Sequence, residues 1–244
     1  MSAFEQWLDK AVIRGPDRVI PSSAAITVTK DGIIYSRSAG TQSENPNSKL
    51  FDKPISPDIS IWIASATKLM TSISILQLLE KGLLDLGADV SSVLPELADL
   101  EVFLKFNDAG EPTYEKAIKK ITIRMLPTHQ SCVGYEFFHP YIQQIREFKK
   151  KAGEAIPSKL TWESKLNPLL AQPDTQWNYG SSYELLGRLI ERLANTSLGS
   201  YMHTHIWHPL SMSSISFSPS SPAIASTLGD ATLRGPDASL SPAP

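Results

Sequence analysis

The segment Ala66–Lys81 (ATKLMTSISILQLLEK) constrains the fold more than any other stretch of this chain. Leu69, Met70, Ile73, Ile75, Leu76 and Leu79 place apolar side chains on most sides of a helix, and Gly82 supplies its stop. A helix apolar nearly all round is expected in the interior, with other elements packed about it. Its first turn also carries Lys68, a charge that such a helix does not accommodate without a reason.

A chain of 244 residues with 41% apolar and 20% charged residues has enough material for one large domain or two small ones. Its 23 Lys plus Arg against 25 Asp plus Glu exclude the basic excess of a nucleic-acid or anionic-membrane partner. The single cysteine, Cys132, leaves no intramolecular disulfide and fits a reducing compartment. The longest apolar run, Ile59–Ala64, is far short of the ~20 residues of a membrane helix. The N-terminal MSAFEQWLDK is charged from Glu5 onward and lacks a signal-peptide core, so the expectation is a soluble, cytoplasmic protein.

Along the chain, residues 4–13 read as a short amphipathic helix and residues 24–39 as a β-hairpin turning at Asp31–Gly32. The polar stretch Gln42–Asp58, with three prolines, reads as loop. Short helical segments are expected at Asp89–Leu94 and Thr122–Leu126, with longer helices at Tyr141–Lys151 and Ser182–Ala194. The Lys149–Lys151 run reads as a solvated helix face. This divides the chain into 1–60 (helix and hairpin of an α/β part), 61–218 (a mainly helical part) and 219–244 (a Pro/Ser-rich loop or tail). No further strand is read after the hairpin. A lone two-stranded ribbon is marginal, so the antiparallel sheet looks incomplete.

Ser65-Ala66-Thr67-Lys68 is the first candidate for chemistry. Residues three apart share a helix face, which sets the Lys68 amine one turn from the Ser65 hydroxyl at the positive end of the helix dipole. Desolvation favours a neutral amine, and a neutral Lys68 could take the proton of Ser65 Oγ and make it a nucleophile. The pattern Ser-x-x-Lys alone arises by chance about once in a chain of this length. The lysine on an otherwise apolar helix is what gives it weight. The second candidate, Trp177-Asn178-Tyr179-Gly180-Ser181, leads directly into the Ser182–Ala194 helix. Tyr179 there is either a core anchor or an acid/base that carries the proton onward.

Together, IASATKLMTSISILQLLEKGLLDL and PDTQWNYGSSYELLGRLIERL resemble the serine β-lactamase-like fold, whose Ser-x-x-Lys motif is shared by penicillin-binding proteins. The similarity is greatest to the class C-like esterases with a tyrosine triplet, and among them to fungal acyltransferases that esterify polyketide alcohols, the statin side-chain transferases. TVTKDGIIYSRSAG resembles the opening strands of that family. LPTHQSCVGYEF resembles its His-Thr-Ser-Gly-Leu segment, with Gln130 and Cys132 in place of Thr and Gly. HPLSMSSISF resembles its Pro-Leu-Gly-Met segment, with Ser211 in place of Gly, and LGDATLRGPDASLSPAP its next stretch.

The resemblance implies an α/β plus all-α architecture, with Ser65 the acylated nucleophile, Lys68 its base and Tyr179 assisting proton transfer. Ser181 takes the third position of the triplet, and Ser181, Trp177 and Tyr135 are the implied substrate contacts. Donors are esters or thioesters, including acyl groups on a carrier protein. The acceptor is a small-molecule alcohol, or water in the esterases, and no cofactor or metal is implied. Family members are considerably longer. Their later strands complete the sheet and carry a Lys-Thr-Gly or His-x-Gly triplet that supplies an oxyanion donor, whose loss typically costs about 10²–10³ in rate. His203-Thr204-His205 lacks that glycine.

Rival chemistries have less support. His203, His205 and His208 have no second ligand cluster and no His-Glu-x-x-His, and read as helix-surface residues. His129 and His139 have no Gly-x-Ser-x-Gly elbow to serve and read as structural. No phosphate-binding glycine loop is present, and Cys132 reads as a small loop or core residue. Two functional classes remain: a serine acyltransferase or esterase, or a catalytically inactive, truncated homologue.

Overall fold

The computed structural model describes residues 1–158, 161–237 and 239–243. Five α-helices and six strands occur among them: α1 Ala3–Ala11, β1 Ser22–Thr29, β2 Gly32–Gly40, α2 Thr67–Glu80, β3 Glu101–Phe106, β4 Pro112–Lys116, α3 Pro140–Lys151, α4 Ser182–Ala194, α5 Leu198–Met202, β5 Thr232–Arg234 and β6 Leu240–Pro242. They fall into two compact units, Met1–Ala64 with Met212–Pro244, and Ser65–Ser211. No helix among the described residues is long and apolar enough to cross a membrane.

In the first unit, Ser2 caps α1 through a reciprocal box with Glu5. Strands β1 and β2 pair antiparallel, with Thr29 opposite Gly32, so the two turn residues are Lys30 and Asp31, one position earlier than the sequence suggests. The later stretch, read as loop or tail, contains the antiparallel pair β5–β6. It is stitched to the loop before residue 65: Ser60 N–H donates to Thr227 O at 2.9 Å, and Ser43 Oγ donates to Asp230 Oδ2 at 2.6 Å. A buried-edge ion pair, Arg18–Glu44 at 2.6 Å, ties the same loop to the segment after α1.

The second unit is built on α4. Leu185, Leu186, Leu189 and Ile190 are fully buried on one face, and Asn195 ends the helix in a left-handed cap. Helix α2 packs against α4 and α5. Its expected all-round burial is corrected by the structure. Ile75 and Leu78 are buried, but Leu69 and Leu76 on the other side are 68% and 49% exposed. Gly82 terminates α2 as expected, with φ +69° and the Leu83 N–H reaching back to Leu78 O.

A second correction lies between Glu101 and Lys116, where β3 and β4 form an antiparallel hairpin in a region read as helical and loop. Val102 and Phe103, successive residues of β3, are both buried, so the two-residue alternation that would betray a strand is missing, and the register shifts just after them, between Phe103 and Lys105. Among the described residues the sheet content is three separate antiparallel pairs. Val102, Val133 and Leu169 meet through bridges that carry β3 into the core of this unit.

Candidate active site

Ser65 sits in a 3₁₀ turn, Ala64–Ala66, that runs into the first turn of α2. Ala64 before it holds φ +42°, a left-handed backbone that non-glycine residues seldom adopt. One turn on, Lys68 Nζ donates to Ser65 Oγ at 3.3 Å, the pairing anticipated from the three-residue spacing. Lys68 is half-buried, and its ammonium lies 5.0 Å from the Tyr179 ring centroid and 5.5 Å from that of Tyr183. Two aromatic faces, in place of the fully apolar burial expected from α2, accommodate the charge.

Tyr179 arrives from the loop before α4, and its hydroxyl lies 2.6 Å from Ser65 Oγ. Hydrogen bonding with Lys68, then with Ser65, draws the Tyr179 phenol below its ordinary range, against a smaller opposing effect of burial. The loop is held by close backbone approach. A Cβ on Gly180 would lie 1.8 Å from Val133 O, so only glycine lets the 177–181 loop pass this near to residues 133–134. Asn178 N–H donates to His129 O at 2.8 Å, and Ser131 Oγ and Ser182 Oγ, both fully buried, hydrogen-bond at 2.7 Å. These contacts fasten the 129–134 segment to the start of α4.

Ser65, Lys68 and Tyr179 are thus brought within hydrogen-bonding reach of one oxygen. The three implied substrate contacts are placed differently. Trp177 is 66% exposed, with its ring 6.1 Å from that of Tyr179. The buried Tyr135 ring is 5.8 Å from Tyr179, and its hydroxyl donates to Glu184 Oε1 at 2.5 Å. Burial and that carboxylate push the Tyr135 phenol far upward. Ser181 is fully buried, and its hydroxyl donates to Lys165 O at 3.3 Å. It faces the loop beneath the site.

Two neighbours escaped the sequence reading. Tyr183 accepts from Ser72 Oγ at 2.8 Å and donates to Pro127 O at 3.2 Å, which fixes its ring beside Lys68. Its position four residues after Tyr179 at the head of a strong amphipathic helix was the available signal. His129, read as structural, packs its ring 4.8 Å from Tyr179, 5.3 Å from Tyr183 and 5.7 Å from Trp177. The exposed rings of Phe137 and Phe138 extend this aromatic wall, with Phe138 5.8 Å from Tyr179. Elsewhere, among the described residues no group of three His, Cys, Asp or Glu is placed to hold a metal ion.

Residues 8–244 match the family described as Beta-lactamase. The chain is 32% identical over 224 residues to ML-236A carboxylate methylbutanoyltransferase mlcH of Penicillium citrinum, covering 91% of this chain and 53% of that protein. It is also 32% identical over 218 residues to Lovastatin esterase of Penicillium rubens, covering 89% and 52%. Among solved structures, unliganded, selenomethionyl Simvastatin Synthase (LovD) from Aspergillus terreus superposes with a TM-score of 0.81 at 31% identity, over 98% of this chain and 59% of that one. The chain spans about half the length of the curated relatives it matches. With its sequence matched from residue 8 to residue 244, this chain belongs to the beta-lactamase family.

Proposed function

We propose that this chain carries a serine acyl-transfer centre that moves an acyl group from a thioester or ester to a small-molecule alcohol through an acyl-Ser65 intermediate. The observation that carries the reading is the convergence of the Tyr179 hydroxyl and Lys68 Nζ on Ser65 Oγ, at 2.6 and 3.3 Å. Tyr179, biased toward phenolate, accepts the Ser65 proton as Oγ attacks the acyl carbon. Lys68 Nζ donates to the attacking Ser65 oxygen at 3.3 Å and stands 5.0 Å from the Tyr179 ring centroid. Ser65 stands at the N-terminus of α2, where backbone N–H groups and the helix dipole favour the developing oxyanion.

Collapse of the tetrahedral intermediate breaks the carbon–sulfur bond of a thioester. The proton held by Tyr179 passes to the departing sulfur and leaves a thiol with the acyl group on Ser65. In the second half, the acceptor alcohol gives its proton to Tyr179 as its oxygen attacks the acyl carbon. That proton returns to Ser65 Oγ as the new ester departs.

The names of the relatives support the substrate class. One is a methylbutanoyltransferase and a structural neighbour is a simvastatin synthase, which suits a polyketide alcohol in secondary metabolism. A donor acyl group on an acyl carrier protein fits the same chemistry, and the single cysteine fits a cytoplasmic setting. Hydrolysis is the second reading, favoured by the relative named an esterase. The exposed wall of Trp177, Phe137 and Phe138 beside Tyr179 favours an apolar acceptor over water. Incubating the chain with an acyl thioester and a bulky apolar alcohol, and following ester and free acid by liquid chromatography and mass spectrometry, separates the readings. Ester formation absent from Ser65→Ala supports transfer, acid alone supports hydrolysis, and neither product overturns both.

A further inference from the structure

His129 has no part in the scheme above, yet it is more than nine-tenths buried. It is wedged among the rings of Tyr179, Tyr183 and Trp177, on a left-handed backbone with φ +56°. Its Nδ1 is buried with no hydrogen-bond partner among the described residues. Phenylalanine would fill the same space without stranding a polar atom, so the nitrogen there calls for an explanation. The groups that face the imidazole are Lys68 from α2, Tyr183 from α4 and Tyr179 from the 177–181 loop, with Trp177 uncharged beside them. Glu184, on the first turn of α4, acts on Tyr179 and is bound by Tyr135.

Burial first, and then the Lys68 charge, hold the imidazole below the ordinary histidine range, in its neutral form. Protonation would set an N–H at Nδ1 where no acceptor lies and a second cation beside Lys68. The ring can then be satisfied only by moving toward water, and Tyr179 loses the face it packs on. We infer that His129 is a positioning residue: its neutral imidazole wedges Tyr179 against Ser65, and its protonation releases the wedge and switches the site off in acid. The inference rests on the acyl-Ser65 reading for its effect on rate, but its structural half is independent of it.

Two readouts on the full chain test it. The first is Trp177 fluorescence, taken as the wild-type signal minus that of Trp177→Phe, across pH 4–9. A step below pH ~6.5 is expected in the wild type and its absence in His129→Phe, which keeps a ring but cannot titrate. The second is the rate of acyl-Ser65 formation with a simple acyl thioester. Its logarithm should steepen from slope one to slope two at the midpoint of the fluorescence step, and stay at slope one in His129→Phe.

A step that persists in His129→Phe, or a wild type with no step, overturns the inference. Should His129→Phe fail to fold, the His129 imidazole resonance is titrated in the wild type and in Lys68→Met. A midpoint raised in Lys68→Met and coincident with the Trp177 step supports the wedge, and non-coincidence overturns it. If no acyl-Ser65 forms at any pH, the acyl-transfer reading has failed by itself, while the Trp177 step still decides the part played by His129.

Discussion

Ser65 Oγ and the Tyr179 hydroxyl stand 2.6 Å apart across 114 positions of sequence. No local structure makes that pairing. It follows from α2 packing on α4, which lays the first turn of one helix beside the loop that enters the other. The core that enforces it includes Ile75 and Leu78 from α2 and Leu185, Leu186 and Leu189 from α4. Hydrophobic patterning in two separate helices thereby sets the distance between the Ser65 and Tyr179 hydroxyls.

Tyr179→Phe removes one oxygen and leaves the ring stack with His129, Tyr135, Phe138 and Trp177 in place. The rate of acylation should fall by about 10²–10⁴, the usual worth of a positioned acid or base. The thermal midpoint should stay near that of the parent. Single-turnover kinetics with a chromogenic thioester beside a melting curve checks both, and a full-rate variant would remove Tyr179 from the proton path.

The pH dependence follows from the direction of the Tyr179 shift. Its phenol is drawn below the ordinary value of 10.0, and in the proposed scheme it takes the Ser65 proton as the phenolate. Acylation should therefore rise with pH through that lowered value and level off before pH 10. Hydrogen bonding with Lys68 is the largest cause, so Lys68→Met should lower the plateau and move the rising limb to higher pH. A limb that stays in place in Lys68→Met would show that another group sets it.

Gly180→Ala tests the backbone approach that places Tyr179. The added carbon falls 1.8 Å from Val133 O, a backbone atom that cannot swing aside. Overpacking of this kind costs about 1–3 kcal/mol, and urea unfolding should show that loss together with a drop in acylation as the loop shifts. Unchanged stability and rate would mean that the loop yields without consequence.

The two faces of α2 should respond unequally to truncation. Leu78 is 1% exposed and inside the core, so Leu78→Ala should cost about 2–5 kcal/mol. Leu69 is 68% exposed, and Leu69→Ala should fall within about 0.5 kcal/mol of the parent. Denaturant midpoints of the two variants decide it. Equal losses would place the exposed face in an interior contact.

This contrast also marks how far the sequence could be read. The start, stop and length of α2 and α4 were legible because Gly82 and the leucine periodicity of Ser182–Ala194 are local signals. The partition of α2 into a buried and an exposed side was not, because apolar residues occupy both sides and nothing local distinguishes them. The β3–β4 hairpin was hidden because Val102 and Phe103 are buried in succession, which removes the apolar–polar alternation that marks a strand. At the site, the pairing of Ser65 with Lys68 was legible from their spacing, and Tyr179 stood out as a candidate from its place just ahead of the Ser182–Ala194 helix, where the reading left it either core anchor or acid/base. His129 and Tyr183 were not, since their meaning depends on rings brought together by tertiary packing.

Whether Ser65 becomes acylated is the central question, and intact-protein mass spectrometry answers it most directly. The chain and its Ser65→Ala variant are incubated with a short acyl thioester, desalted and weighed. One acyl increment on the parent and none on Ser65→Ala is the predicted result. An unmodified parent, or equal increments on both proteins, would contradict the assignment of Ser65 as the nucleophile.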